Sequence, residues 1–275
     1  MVITLSNDVI EMPSKPLIRW AGSKRKLIPV LVKNLPAGFT RYVEPFCGSA
    51  CLFFHIQPKS ALLSDFNPEL INAYNQVCER ADIYSVLCAL PQTKEYYYEL
   101  RAQKPEVLDE FSRAVRFLYL NRYCFNGIYR TNRQGFFNVP YGSRTGGFPS
   151  KEEYEHIRNS LLRASIQRLD ARDAIRATKK GDFVYLDPPY SDSGRFTGEY
   201  GVGSFDSDRL EELYSWLERI DQKKAYFLLS YKATPQVIKK LKEKYIVSDV
   251  SVKRHISGFK KNWDVASEIL VKNYE

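Results

Sequence analysis

Four consecutive residues offer the clearest chemistry in the sequence: Asp187, Pro188, Pro189 and Tyr190. They follow the apolar run 183–186, which is typical of a buried parallel strand, and ligands bind at the carboxyl ends of such strands. Proline fixes its own φ and restricts the residue before it, so the acceptor oxygens here point in a narrow range of directions. The tetrapeptide indicates a site where a planar molecule stacks on Tyr190 and its amino group donates to Asp187 and a proline carbonyl. A simple strand-ending turn is the alternative.

A second candidate site is the small-residue loop 47–50, which lies between a predicted strand at 41–46 and a predicted helix at 51–56. Such a loop lets a ligand approach backbone N–H groups at a helix N-terminus. It holds only one glycine, Gly48, so the G-x-G-x-x-G fingerprint of NAD-binding proteins is absent. Asp65 ends the next predicted strand, where an acid typically accepts hydrogen bonds from ribose hydroxyls. Loop and acid together predict an adenosine-containing ligand, with a helix cap as the alternative role for Asp65.

The segment 125–149 combines aromatic residues with asparagine, arginine and glycine. Asparagine and arginine can pair bidentately with adenine and guanine edges, and aromatic rings can stack on bases or wedge between them. A long loop of this kind in a compact domain is usually functional. The formal net charge of +9 also favours a polyanionic partner. The sequence therefore predicts that this segment contacts nucleic acid.

The elements that must position these residues follow a βα alternation that is interrupted once. Strands are predicted at 41–46, 61–65, 165–170, 183–186, 225–230, 246–252 and 267–273, the last two as a hairpin. Further helices are predicted at about 26–34, 206–220 and 234–245, and a glycine-rich lid or DNA-facing loop at 191–205. Between the second and third strands only helices are predicted, at about 68–80, 82–90, 94–103, 109–123 and 151–164. The predicted fold class is α/β, with a catalytic domain formed by 1–66 and 165–275 and an inserted helical domain at 67–164.

Composition argues against several other classes of protein. The five cysteines include no Cys-x-x-Cys pair, and the three histidines form no ligand motif, so neither a disulfide framework nor a metal site is expected. No uncharged apolar stretch is long enough for a membrane span. Residues 1–16 contain acids and no apolar core, unlike a signal peptide. We therefore expect a cytoplasmic protein with reduced thiols.

Several motifs in one order resemble those of the Dam-type (D12 class, group alpha) DNA adenine-N6 methyltransferases. They are 19–24, 44–48, 65–67, 121–127 with Arg130, 137–142 and 187–190. The resemblance implies a Rossmann-like S-adenosylmethionine-dependent methyltransferase sheet, with an inserted, mainly helical DNA-recognition domain. It implies S-adenosylmethionine as cofactor and double-stranded DNA as partner. It also implies that an adenine flips out of the duplex onto Tyr190 and is methylated at N6.

The resemblance assigns each motif a role. The residues that it places around the cofactor are Trp20, Lys24, Pro45, Phe46, Cys47, Gly48, Asp65, Phe66 and Asp187. The residues that it places around the reacting amine are Asp187, Pro188, Pro189 and Tyr190. It assigns Phe125 as a wedge in the DNA stack and Asn126 and Arg130 as target contacts, and Arg133 and Asn138 join them as predicted DNA-binding residues.

The sequence departs from the family pattern at three places. Ala50 stands where the family usually has a second glycine, Leu229-Ser230-Tyr231 stands where many relatives have Ser-Asn, and 257–264 matches poorly. Two alternatives stay open: an N4-cytosine methyltransferase, which more often has serine in place of Asp187, and a DNA-binding homologue without activity.

Relatives suggest a GATC-like recognition site. The sequence determines neither that site nor the oligomeric state, and a monomer is compatible with it.

Overall fold

The computed structural model describes residues 16–132, 134–142, 146–189, 207–232, 235–250 and 268–275. Its strands are β1 Tyr42–Glu44, β2 Ala61–Asp65, β3 Ala164–Arg168, β4 Phe183–Leu186, β5 Tyr226–Lys232, β6 Ile246–Val250 and β7 Glu268–Lys272. They form one seven-stranded sheet in the order β3-β2-β1-β4-β5-β7-β6. The first five strands are parallel, and β7 is antiparallel to both β5 and β6. The predicted α/β class with a Rossmann-like sheet is confirmed, and each predicted strand is present.

The helices are α1 Ile28–Lys33, α2 Cys51–Ile56, α3 Pro68–Glu79, α4 Ile83–Ala89, α5 Lys94–Ala102, α6 Glu110–Tyr123, α7 Lys151–Leu161, α8 Ala171–Arg176, α9 Ser207–Gln222 and α10 Pro235–Lys242. The sequence did not predict α8. The predicted helix 151–164 ends earlier, at Leu161, because Ala164 already pairs with Ala61 in the sheet. A capping box between Ser150 and Glu153 fixes the start of α7. No helix in these described ranges is long and apolar enough to cross a membrane.

The central strand β4 is buried on both faces, which explains its continuous apolar sequence, whereas the edge strands β3 and β6 are largely exposed. Alternate β4 residues point into opposite cores. Phe183 and Tyr185 belong to the core that also holds α1 to α6, whereas Val184 and Leu186 belong to the core formed with α8, α9 and α10. All four residues of β4 are thus buried, and the chain leaves the core at Asp187.

Helices α3 to α7 all lie between β2 and β3 in the chain. α3 packs against β2, β3 and α6, and α7 packs against α3 and β3. Buried residues of α4, α5 and α6 share one core with the sheet. The predicted division into a catalytic domain, 1–66 with 165–275, and an insert, 67–164, remains a prediction.

Candidate functional site

One cavity lies at the carboxyl ends of β1, β2 and β4, which are neighbours in the sheet. It holds about 1280 Å³ of empty space, part of which is open to solvent. The structure brings to its wall every residue that the sequence assigned to a cofactor, together with both prolines. These are Trp20, Lys24, Pro45, Phe46, Cys47, Gly48, Asp65, Phe66, Asp187, Pro188 and Pro189. Tyr190 lies outside the described residues, as do the predicted lid 191–205 and the segment 257–264.

An ion pair joins Lys24 to Asp187 at this cavity. Lys24 Nζ lies 2.6 Å from Asp187 Oδ1 and 3.2 Å from the carbonyl oxygen of Gly22, to which it also donates. The lysine side chain is buried, whereas the carboxylate keeps a fifth of its surface exposed. A buried ammonium needs such a partner, since its desolvation is otherwise costly. The pair therefore fixes the direction of the carboxylate while leaving part of it accessible from the cavity.

Asp65 ties the loop after β1 to the start of α3. Its Oδ2 accepts a hydrogen bond from the Gly48 backbone N–H at 3.2 Å, and its Oδ1 accepts one from the Asn67 backbone N–H at 3.0 Å. Burial raises the pKa of Asp65, and the backbone hydrogen bonds lower it in part. The cap of α3 is Asn67, whose side chain accepts from Glu69 and Leu70. The helix-cap role considered for Asp65 thus belongs to Asn67.

Two acids that the sequence analysis did not assign also line the cavity, Glu44 and Asp170. Glu44 is buried at the end of β1 and accepts a hydrogen bond from the Tyr42 hydroxyl at 3.0 Å. Burial raises its pKa well above the ordinary value; the bond from Tyr42 lowers it, and the charges of Asp187 and Asp65 raise it further. Asp170 follows β3 and caps α8. The signal that could have found both is the one used for Asp65, an acid where a parallel strand ends.

The loop 47–50 contains two left-handed residues, Gly48 at φ +45° and Ala50 at φ +48°. A Cβ at Gly48 would lie 2.7 Å from Trp20 Cδ1, so only glycine fits against the indole ring. Ala50 adopts a conformation in which glycine is less strained. The departure from the family pattern at this position therefore leaves the left-handed turn in place.

The predicted DNA-binding residues that the structure describes, Phe125, Asn126, Arg130 and Asn138, lie outside the cavity wall. Phe125 is half exposed and Asn126 is exposed with φ +53°, both in the short 3₁₀ turn Phe125–Gly127. Arg130 and Asn138 are brought together by an antiparallel bridge between Thr131 and Phe137. Arg130 Nε donates to Asn138 Oδ1 at 2.9 Å. Arg133 lies outside the described residues.

Hydrogen bonds join Arg19, which precedes the wall residue Trp20, to the end of α6, where this segment begins. The Arg19 backbone N–H donates to Asn121 Oδ1 at 2.8 Å, and Asn121 Nδ2 donates to the Arg19 carbonyl at 2.6 Å. Arg19 Nη1 donates to the carbonyls of Arg122 and Cys124 at 3.1 and 3.5 Å. The cavity wall and the predicted DNA-binding segment are therefore anchored to each other.

Among the residues that the structure describes, no group of three or more His, Cys, Asp or Glu side chains is placed to hold a metal ion. The cysteines are free, and burial raises the pKa of the Cys47 thiol well above its ordinary value. Since the thiolate is the reactive form, Cys47 acts as a wall residue and not as a nucleophile.

Comparison with known proteins points in one direction. The sequence model of a family described as D12 class N6 adenine-specific DNA methyltransferase matches residues 20–256. A Type II methyltransferase, M1.LlaDCHI of Lactococcus lactis subsp. cremoris, is 32% identical over 94% of this chain and 95% of its own. The DNA adenine methylase of Salmonella typhi is 35% identical over 79% and 80%. The retron Ec67 DNA adenine methylase of Escherichia coli is 34% identical over 74% and 72%.

Proposed function

The chain belongs to the D12 class of N6 adenine-specific DNA methyltransferases, and on that basis we propose that its cavity binds S-adenosylmethionine and that Asp187 presents adenine N6 for methylation. The observation that carries the proposal is the position of Asp187. It stands at the end of β4, held by Lys24 at 2.6 Å, in a cavity that also contains Asp65 and the loop after β1.

The residues of the cavity fit this cofactor. Among the described wall residues, the acids Asp65, Asp170 and Asp187 outnumber the one lysine, Lys24. Burial favours the neutral form of the fourth acid, Glu44. Such a balance favours a ligand that carries positive charge, as the sulfonium and ammonium groups of S-adenosylmethionine do. The exposed ring of Phe66, with the Arg168 guanidinium 5.4 Å from its centroid, offers a flat apolar surface for adenine.

Different residues of the cavity wall are assigned to different parts of the cofactor. We assign the ribose hydroxyls to Asp65, because the residue lines the cavity, is half-buried, and has its carboxylate direction fixed by two backbone N–H groups. Trp20 and the backbone of Gly48 bound the methionine portion. When bound, the cofactor supplies an electrophilic methyl group on its sulfonium.

Asp187 acts on the nucleophile by positioning it. The lone pair of adenine N6 is delocalised into the ring, so the amine attacks poorly. Hydrogen bonds from N6 to the Asp187 carboxylate and to the Pro188 carbonyl localise the lone pair and aim it, and well-oriented reactants gain about 7–11 kcal/mol. The same acceptors stabilise the positive charge that develops on N6. No strong base is needed, because the methylated amine is acidic until it loses its proton.

The target amine lies inside a duplex, so the proposal includes flipping of the adenine, which costs a few kcal/mol. The half-exposed Phe125 is suited to fill the gap in the base stack. Arg130 and Asn138, linked at 2.9 Å, are suited to contact neighbouring bases. We propose a short adenine-containing site, GATC-like as in the Dam-type enzymes that the chain resembles.

The test is to incubate the protein with methyl-labelled S-adenosylmethionine and duplex DNA, digest the DNA, and identify the labelled nucleoside. We expect N6-methyladenine. Label in N4-methylcytosine would contradict the proposed target. Absence of label from DNA that the protein still binds would instead identify a homologue without activity.

A further inference from the structure

Tyr129 lies between the cavity and the predicted DNA-binding segment. Its ring stacks on Trp20, with the centroids 5.5 Å apart and the planes 22° from parallel. It also packs on Phe137 at 5.7 Å and on Phe117 of α6 at 5.6 Å. The half-buried ring of Tyr129 therefore contacts the cavity wall at Trp20, helix α6 at Phe117, and the predicted DNA-binding segment at Phe137.

On the cavity side, Tyr129 acts through Trp20. Trp20 lines the cavity and lies directly against Gly48, where no Cβ would fit. The Gly48 backbone N–H in turn donates to Asp65. A shift of the indole is thus transmitted to the loop and to the acid that we assign to the ribose, because close-packed groups cannot move independently.

The Tyr129 side chain also interacts with Asn67 at the start of α3. Burial raises the pKa of Tyr129 to about 12, the charge of Glu69 raises it, and an interaction with the Asn67 side chain lowers it. Asn67 caps α3 and donates its backbone N–H to Asp65. The stacked ring remains the link to the cavity wall through Trp20, and the Asn67 interaction is a second, weaker contact near Asp65.

On the DNA side, Tyr129 immediately precedes Arg130, and its neighbour Phe137 immediately precedes Asn138. Arg130 Nε and Asn138 Oδ1 form a hydrogen bond of 2.9 Å. The backbones of the two residues are also joined, by a bond from the Asn138 N–H to the Arg130 carbonyl at 3.1 Å. The position of the Tyr129 ring therefore affects both members of this pair.

We propose that Tyr129 is a positioning residue that couples cofactor binding to DNA binding, an inference that rests on the proposed function of the cavity. A ligand that restricts the motion of Trp20 at the cavity also restricts the Arg130–Asn138 pair, because the stacked rings connect them. DNA that binds the pair restricts Trp20 in the same way. Such coupling is reciprocal by thermodynamic necessity and typically amounts to about 5–150-fold in affinity. Substitution of a residue with a purely packing role would change protein stability without changing how strongly DNA affects cofactor affinity.

The experiment measures the affinity of S-adenosylhomocysteine, which allows no turnover, by titration calorimetry. Each protein is titrated alone and when saturated with a duplex that the wild-type enzyme methylates, and the two dissociation constants give a ratio. The variants are Tyr129→Leu, which removes the ring, and Tyr129→Phe, which keeps it. Tyr96→Leu is the matched control, because Tyr96 is also half buried and packs on an α6 ring, Tyr119, at 5.5 Å.

We expect DNA to strengthen cofactor binding at least about fivefold in the wild-type enzyme. Tyr129→Leu should bring the ratio to within about twofold of one, while Tyr129→Phe and Tyr96→Leu keep it near the wild-type value. An unchanged ratio in Tyr129→Leu, or a wild-type ratio of one, would overturn the inference. Failure of the wild-type protein to bind S-adenosylhomocysteine at all would instead refute the proposed function of the cavity.

Discussion

At the scale of single residues, Glu44 holds a carboxyl group in the core beside two other acids, Asp65 and Asp187. Its pKa is raised well above the ordinary value, first by burial. The unfolded chain therefore releases the Glu44 proton at a lower pH than the folded protein does. As pH rises from the unfolded pKa toward the folded one, the unfolded state binds fewer protons, and the free energy of unfolding falls.

We predict that Glu44→Gln removes this loss, because glutamine does not titrate and its amide oxygen can still accept the Tyr42 hydrogen bond. The variant should gain unfolding free energy relative to wild type, and the gain should be larger at pH 8 than at pH 5. Thermal unfolding without cofactor measures it, with about 2–4 °C expected for each kcal/mol. Glu106→Gln, at an exposed position, is the control. A gain that is equal at both pH values, or that shrinks as pH rises, would contradict the assignment.

Arg130 is the residue that we expect to read a guanine edge. Its bond to Asn138 fixes the plane of the guanidinium, and a bidentate arginine–guanine pair discriminates by about 1–3 kcal/mol. Arg130→Ala should therefore lose about ten- to hundredfold in methylation rate on the preferred site and much less on sites altered at that guanine. The measurement is the rate on a panel of single-base site variants at fixed salt.

A phosphate contact at Arg130 would give a different pattern. Its loss would weaken all sequences about equally and lower the salt slope by about one. A uniform drop across the panel would thus refute base readout by Arg130. The search for the specific contact would then move to Asn126, Arg133 and Asn138.

At the scale of elements, the loop 47–50 offers a matched pair of substitutions, because it holds one glycine and one alanine in the same left-handed conformation. Gly48→Ala should weaken cofactor binding at least about tenfold, since its Cβ would push into Trp20 and shift the cavity wall by an amount that close packing cannot absorb. Ala50→Gly should keep affinity within about threefold, because it relieves a left-handed alanine. Titration with S-adenosylhomocysteine measures both. Equal effects of the two changes would show that the loop's contact with Trp20 is unimportant.

How far the sequence predicts an element depends on how local its signal is. β4 was predicted from four apolar residues followed by Asp187-Pro188, and Asp65 from its place at the end of a strand. α8 was missed because three of its six residues are charged and only Ile175 is strongly apolar, whereas the equally short α1 and α2 are largely apolar. The stack of Tyr129 on Trp20 could not be predicted, since residues more than a hundred positions apart meet only through the packing of α6.

At the scale of the whole molecule, the strand order explains why distant motifs act together. β2, β1 and β4 are adjacent and parallel, so the ends of three chain segments meet at one edge of the sheet. Lys24, from before the first strand, completes the cavity by pairing with Asp187 across 163 positions. The predicted catalytic residues therefore lie at the carboxyl ends of the strands, and the predicted DNA contacts lie in the segment after α6.

The proposed role of Asp187, to position adenine N6 for methylation, is tested by single-turnover methylation with Asp187→Ala. The duplex is one that the wild-type enzyme methylates, DNA affinity is measured on the same samples, and Asp173→Ala, an exposed aspartate on α8, is the control. We expect no measurable N6-methyladenine from Asp187→Ala, with DNA affinity substantially retained and full activity in the control. Methylation by Asp187→Ala within about tenfold of wild type, a loss of only about 1.4 kcal/mol of transition-state stabilisation, would contradict it.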